Sequence, residues 1–361
     1  MSATSYRFHL GEFDALLIRD GGAPRAASGF LASAPPDELD QVVRSQGLDP
    51  AAIENSITPI VIRTGGKTLL IDTGLGDRAT KTAWQHLLDG PLRGRPLTRI
   101  IATHFHPDHV GAAGFLLQRY DVPLYMAATE YLQSLNIHLD PGALEAEHYR
   151  RFYLEHGLDA ETTQRVVTSG HAYLKLTSGL PPTYHRVVAG DVLRIGGRSF
   201  QVLTGGGHSP EEVMLFCRAE KLFFAADQVL ARISPNVSVT AVDPDGDPLG
   251  YYLRSLNALR REIPGDVLVL PGHNLPFYGL HTRIAELFDH HQVRCDRILQ
   301  ACRAGPKSAA ELIAFVFARK LDPHQMGFAF SEVLAHVNYM LRQGTLAPAA
   351  SSDGIGRVTA P

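Results

Sequence analysis

Residues 103–109 read Thr-His-Phe-His-Pro-Asp-His, and the apolar run Ile100-Ile101-Ala102 leads straight into them. Three imidazoles and one carboxylate thus stand between His104 and His109, directly behind a segment patterned as a buried strand. Neutral imidazole nitrogen and carboxylate oxygen are ligands for a borderline cation such as zinc. In extended chain His104, His106 and Asp108 share one face. A turn after the strand then sends His104 and His106 toward one ion, and Asp108 and His109 toward a neighbouring one. The plain alternative is a histidine-rich surface loop, but structural zinc clusters and tags use other spacings.

The pattern His104-x-His106-x-Asp108-His109 resembles the defining motif of the metallo-β-lactamase superfamily of hydrolases. Four further stretches match in that family's order. Thr68-Leu69-Leu70-Ile71-Asp72-Thr73-Gly74 resembles the early strand and turn beneath the metal site. Gly206-Gly207-His208-Ser209-Pro210 resembles the third-histidine motif, Phe223-Phe224-Ala225-Ala226-Asp227 the strand ending in a bridging aspartate, and Leu270-Pro271-Gly272-His273 the last histidine loop. The resemblance covers about residues 55–280. It implies an α/β fold, the αββα sandwich of that family, with His104, His106 and His208 on one metal and Asp108, His109 and His273 on the second. Asp227 would bridge the two. It further implies a hydroxide between two cations, which is a nucleophile at neutral pH, and polarisation of the bond under attack. Asp227 and Asp108 are then the carboxylates nearest the chemistry, and Asp108 is one candidate for protonating the leaving group. Glycines at 205–207 let backbone approach a crowded site. Asp72 reads as a residue that orients a ligand or its loop, or as a turn cap before Thr73-Gly74.

Residue choices inside the motifs narrow the branch. A glutamate in place of His106 would suggest the di-iron, oxygen-reducing members, and a cysteine in place of Asp227 the antibiotic-destroying ones. With histidine and aspartate there, the chain resembles the glyoxalase-II, lactonase, phosphodiesterase and RNase-Z-like side. Two zinc ions are the expected cofactor; manganese and iron accept the same ligands, and a mononuclear iron dioxygenase on this fold shares the motif.

Composition excludes several other classes. The chain has 361 residues, 45% of them hydrophobic and 20% charged, enough for a sizeable core in one large and one small domain. Its 34 Lys/Arg against 37 Asp/Glu give a formal charge of −3, so no global basic field draws nucleic acid or an anionic membrane. The three cysteines, Cys217, Cys295 and Cys302, form no CxxC pair and argue against a disulfide framework. No charged start followed by an apolar segment marks the N-terminus, and no apolar run approaches the ~18 residues a membrane span needs. The expectation is a soluble cytoplasmic protein.

The spacing predicts a first strand within 5–20, a helix near Pro36–Gln46, strands Thr58–Arg63 and Thr68–Ile71, and a helix Thr80–Leu88. An insertion at 124–186 carries a strand Pro123–Met126 and helices Ala128–Leu135, Gly142–His156 and Ala160–Thr177. Insertions there tend to cover the metals in the superfamily, which makes His138, Tyr149 and Tyr184 candidate pocket residues. Short strands follow at Val192–Ile195, Ser199–Thr204, Val213–Cys217 and Lys221–Ala226. The run 228–238 resembles a signature of bacterial hydrolases with an added C-terminal helical domain, offering Arg232 or Asn236 to a substrate. A helix Pro248–Ile263 and a strand Asp266–Leu270 complete the catalytic domain, 1–282. Residues 283–361 then predict helices Gln292–Arg303, Ala309–Lys320 behind the capping box Ser308-x-x-Glu311, and Phe328–Gln343, with a short hairpin behind. Three helices and a hairpin make a winged-helix-like module. Residues 283–345 hold eight Lys/Arg against six Asp/Glu, a weak footprint for a nucleic-acid binder, so a structural or homodimer-forming role is the better expectation.

Three functions compete. The first is a dinuclear metal hydrolase acting on a small ester, thioester, lactone or phosphoester. The second is a metal-dependent endoribonuclease with a winged-helix accessory domain, which needs a positive groove. The third is a non-enzymatic protein that kept the fold, and degenerate members of that kind usually lose ligands, whereas all seven positions are filled here.

Overall fold

Short apolar segments build two sheets, and their central strands are covered on both faces. The computed structural model describes residues 5–10, 13–18, 44, 59–64, 66–90, 92–142, 147–169, 172–317 and 321–361. The first sheet has seven strands in sequence order, β1 (Ser5–Leu10), β2 (Phe13–Ile18), β3 (Ile60–Thr64), β4 (Lys67–Ile71), β5 (Leu97–Ile101), β6 (Leu124–Met126) and β7 (His185–Arg186). Pairing is antiparallel through β4 and parallel from β4 to β7. The second sheet has five strands in the order β12-β11-β10-β9-β8: β8 (Val192–Ile195), β9 (Arg198–Gly205), β10 (Glu212–Cys217), β11 (Leu222–Ala226) and β12 (Leu268–Pro271). Only β11 and β12 run parallel there.

The period of two decides which face each side chain serves. Ile60, Ile62, Leu69, Ile71 and Ile101 pack against Val202, Val213, Leu215, Leu222 and Phe224, filling the space between the sheets. Their neighbours Val61, Leu70 and Ile100 point the other way, onto α1 (Arg78–Asp89) through Trp84 and Leu88, and onto α3 (Ala113–Arg119) through Leu116. Likewise Met214, Phe216, Phe223 and Val269 face Leu256 and Leu259 of α8 (Pro248–Glu262) and Leu280, Ile284 and Leu287 of α9 (Leu280–Arg303). The layers are therefore helix, sheet, sheet, helix. Among the described residues, no helix is long and apolar enough to cross a membrane.

The insertion folds as α4 (Ala128–Leu139), α5 (Glu147–Glu155), α6 (Ala160–Ser169) and α7 (Ala172–Lys175). Of the predicted helix Ala160–Thr177, Ala160–Ser169 and Ala172–Lys175 are helical, and residues 170–171 lie outside the described residues. The predicted first strand is a pair, β1 and β2, and of the helix expected near Pro36–Gln46 only Arg44, which is helical, is among the described residues. The C-terminal region holds α9, α10 (Ala309–Val316), α11 (Pro323–Arg342) and a hairpin of β13 (Ala347–Ala349) and β14 (Arg357–Thr359). Helix α9 starts at Leu280, behind Gly279 at φ 94°, and not at the predicted Gln292. Residue 283 accordingly lies inside a 24-residue helix. Ser308 and Glu311 form the predicted capping box, but α10 stops at Val316, where Phe317 turns extended (φ −113°, ψ 109°).

One apolar cluster runs from the outer face of the second sheet through α9 into α10 and α11, joining Val269 and Ile284 to Ile298, Leu312 and Phe330. Phe330 is fully buried, and its ring lies 5.9 Å from Phe152 and 5.2 Å from Tyr153 of the insertion. Where α9 meets α11, Arg294 pairs with Glu332, and His291 Nδ1 lies 3.1 Å from His336 Nε2. Burial, then Arg294, pushes His290 down to about 3; burial also holds His291 and His336 well below the usual histidine range.

Two outcomes follow. Phe330→Ala should cost about 3–5 kcal/mol and still melt in one calorimetric transition, because the core is continuous; two separated transitions would contradict that. The unfolded chain binds protons on these histidines near pH 6.5 while the folded chain does not. Their contribution to stability is therefore whole above about pH 6.5 and is lost as pH falls toward the folded values. The thermal midpoint should drop from pH 7 to pH 5, less steeply in His290→Gln than in the wild type.

Candidate metal centre

Four chain segments, each following a strand, deliver seven polar side chains to one place. His104 and His106 follow β5, and a four-residue helix, α2 (Pro107–Val110), turns Asp108 and His109 in behind them. His208 lies between β9 and β10, Asp227 directly after β11, and His273 after β12. Backbone geometry is tight here. Ala226, the last residue of β11, takes φ 46°, a left-handed conformation of the kind that clusters at functional sites. A Cβ on Gly272 would lie 2.3 Å from Asp227 Oδ1, so only glycine lets the last loop reach the aspartate.

The side chains fall into overlapping groups. His104, His106 and His208 can bring one ligand atom each within 4.8 Å of one another, as can Asp108, His109 and His273, and also His104, His109 and Asp227. His106 Nδ1 is 3.1 Å from His208 Nε2. Asp227 stands between the two trios: its Oδ1 is 3.4 Å from His109 Nε2, and its Oδ2 is 3.5 Å from His208 Nε2 and 3.1 Å from His273 Nε2. Asp108 Oδ2 lies 3.2 Å from His273 Nε2. The structure thus brings all seven sequence-predicted residues together.

Three of the rings, those of His104, His109 and His208, are aimed by what holds their Nδ1. His109 Nδ1 is 2.9 Å from Asp72 Oδ2, whose partner oxygen accepts the Thr103 N–H at 2.7 Å. His208 Nδ1–H donates to the Asn236 carbonyl at 2.8 Å. His104 Nδ1 lies 3.0 Å from Thr103 Oγ1 and 3.3 Å from Glu212 Oε1. With Nδ1 committed, the lone pair of Nε2 faces the centre. His104 Nε2, His109 Nε2 and Asp227 Oδ1 are buried there with no hydrogen-bond partner. Buried unsatisfied polar atoms cost free energy, and divalent cations would satisfy all three, so the residues present fit such ions.

The electrostatics agree. Burial and neighbouring imidazoles hold His104 well below the usual range, and burial with His208 takes His106 down to about 3, the neutral form a metal requires. On the other side burial opposes charge, but Asp227 and Asp108 overcome it and raise His109; Asp227 likewise brings His273 up to about 10. Burial also works against Asp108 and Asp227, yet the imidazoles of His109 and His273 keep both carboxyls below the usual range. The neighbouring imidazoles thus favour the ionised form of Asp108, the form a metal ligand takes.

Glu212 escaped the sequence reading. It is fully buried, accepts the Asp227 N–H at 2.7 Å and backs His104; burial and Asp227 push its carboxyl well up. Its signal is an acid opening an otherwise apolar strand, Glu-Val-Met-Leu-Phe-Cys. Asn236 acts through its carbonyl on His208, its side chain being turned to Ser238, and Arg232 is exposed. Of the candidate pocket residues, His138 meets Ser134 and Thr177, Tyr184 stacks on Tyr131, and Tyr149 lies beside its neighbour His148. A further cluster, His290, His291 and Glu332, also has metal-like spacing. Arg294 already neutralises Glu332 there, so a cation would sit beside a guanidinium without compensation.

Comparison with known proteins agrees with this geometry. Residues 54–273 match the metallo-beta-lactamase superfamily, and residues 295–360 match the metallo-beta-lactamase-like C-terminal domain. A beta-lactamase domain protein from Burkholderia ambifaria is 33% identical over 99% of this chain and 91% of its own, with a TM-score of 0.74. Two shorter likenesses each span about a quarter of the relative. An atrochrysone carboxyl ACP thioesterase of Passalora fulva is 34% identical over 83 residues, 22% of this chain and 24% of its own. An exodeoxyribonuclease of Bacillus anthracis is 33% identical over 66 residues, 18% of this chain and 24% of its own. The superfamily match takes in every one of the seven converging side chains, and the chain belongs to the metallo-beta-lactamase superfamily of hydrolases.

Proposed function

We propose that this chain is a dinuclear, zinc-dependent hydrolase of a small ester, thioester, lactone or phosphoester. The observation that carries the reading is Asp227, whose two oxygens face imidazoles of both trios. His104, His106 and His208 would hold one ion, Asp108, His109 and His273 the other, and Asp227 both. Imidazole with carboxylate is a donor set that zinc accepts readily. A pair of divalent cations supplies a nucleophilic oxygen at neutral pH and draws charge from the bond under attack. The protein's own part is to aim the imidazoles and to keep those of His104, His106 and His208 neutral. Asp72 and the Asn236 carbonyl fix His109 and His208, while Glu212 steadies His104 and the Asp227 backbone.

A small substrate is favoured over a nucleic acid by charge. The chain carries 34 Lys/Arg against 37 Asp/Glu, a formal charge of −3. A polyanion needs a basic groove. The thioesterase name of one partial relative supports testing acyl thioesters first.

His106→Ala and Asp227→Ala should each abolish turnover of every hydrolysed substrate in a panel of esters, thioesters, lactones and phosphodiesters, with far-ultraviolet circular dichroism unchanged. Full turnover by either variant would refute a metal-centred reaction. Asp72→Ala, which frees the His109 ring, should cost about 10–100-fold in metal affinity or activity. Cleavage of RNA or DNA in preference to the whole panel would replace the small-substrate reading with the nuclease one.

A further inference from the structure

Phe105 stands between two of the seven converging residues, and both polar atoms of its backbone are held by side chains of the insertion. Its N–H donates to Glu130 Oε2 at 2.9 Å, and its carbonyl accepts the Tyr173 hydroxyl at 2.7 Å. Glu130 lies in the first turn of α4 and is fully buried; Tyr173 lies on α7. The other oxygen of Glu130 serves a different loop. Oε1 accepts the Ser209 hydroxyl and, at 2.6 Å, the Glu211 N–H, one and three residues beyond His208. One carboxylate therefore ties together the loops that carry His104, His106 and His208, which are about a hundred residues apart in sequence.

The tie is reciprocated. Ala127, which caps α4, has no side chain to offer the first turn, and Glu211 fills that role from outside. Its Oε2 accepts the Thr129 hydroxyl at 2.7 Å and lies 3.4 Å from the Thr129 N–H. An acid at a helix N-terminus is favourably placed against the helix dipole. The helix holds the third-histidine loop through Glu130, and that loop holds the helix through Glu211.

We propose that Glu130 is a positioning residue of this centre: it sets the register between the His104–His106 loop and the His208 loop and so preorganises one metal trio. The inference rests on the reading of His104, His106 and His208 as ligands of one ion. Groups that orient metal ligands typically cost about 10–100-fold in affinity when removed. Glutamine is an informative replacement. Phe105 uses one oxygen of Glu130 and the 209–211 loop uses the other, so an amide can accept from only one loop and presents N–H to the other.

The test has two readouts. In metal-free protein, amide hydrogen exchange at Phe105 and Glu211 should accelerate about tenfold or more in Glu130→Ala. In zinc-loaded protein, one of the two ions should leave to a competing chelator about tenfold more readily, with Glu130→Gln between wild type and Glu130→Ala in both measurements. A carboxylate that merely stabilises the fold would lower the melting temperature without changing chelator resistance or showing this graded rescue. Should Glu130→Ala fail to fold, Ser209→Ala, which removes one bond to Glu130, and Tyr173→Phe, which removes the hydroxyl shared by the Phe105 carbonyl and Ser134, must loosen the same ion. Wild-type exchange and wild-type metal retention in Glu130→Gln, Ser209→Ala and Tyr173→Phe would overturn the proposal while leaving the metal reading intact. A wild-type chain that binds no zinc would overturn both, and that failure is recognisable because it occurs before any substitution.

Discussion

Asp227 is a buried carboxylate that has no room to be left alone. Burial penalises its charge, and what holds it ionised is the set of imidazoles arranged around its two oxygens. Those imidazoles arrive from strands of both sheets, so the aspartate is stable in its charged form only when β5, β9, β11 and β12 end at one edge of the sandwich. The left-handed Ala226 and the forced glycine at 272 are local consequences. The chain accepts strain at a strand end to bring one carboxylate within reach of two trios.

The outer layers serve the same end. Trp84 of α1 donates to the Thr73 carbonyl at 2.8 Å, and Thr73 in turn donates to the His109 carbonyl at 2.9 Å, so the helix outside the first sheet props the loop inside. Asp72, at φ 60°, then meets both Thr103 and His109. On the other side Tyr252 of α8 donates to the Gln228 carbonyl at 3.1 Å, next to Asp227. The insertion adds a further polar brace through Glu130 and Tyr173. Imidazoles, carboxylates and unsatisfied polar atoms share one buried space, and Trp84, Tyr252, Glu130 and Tyr173 each add a hydrogen bond around it.

Much of this was legible in the chain because the ligand-bearing loops are short, local and contiguous. His104 through His109, Gly206 through His208 and Leu270 through His273 each contain their chemistry within a few residues, and the apolar alternation of the strands around them is strong. The braces were not legible. Glu130 looks like any acid in the first turn of a helix, and its partners Phe105, Ser209 and Glu211 are neighbours only after folding. The start of α9 was missed for a related reason. Leu280, Ile284, Leu287 and His291 form its buried stripe, but the charged and histidine residues between them obscure the period.

The central claim is that seven side chains make a two-ion centre, and the most direct measurement is the metal content of the protein purified without added metal. The account predicts about two zinc ions per chain, with activity lost to a chelator and restored by zinc. A single iron would instead point to an oxygenase-like centre. No metal as purified, with none taken up on reconstitution, would contradict the account at its root.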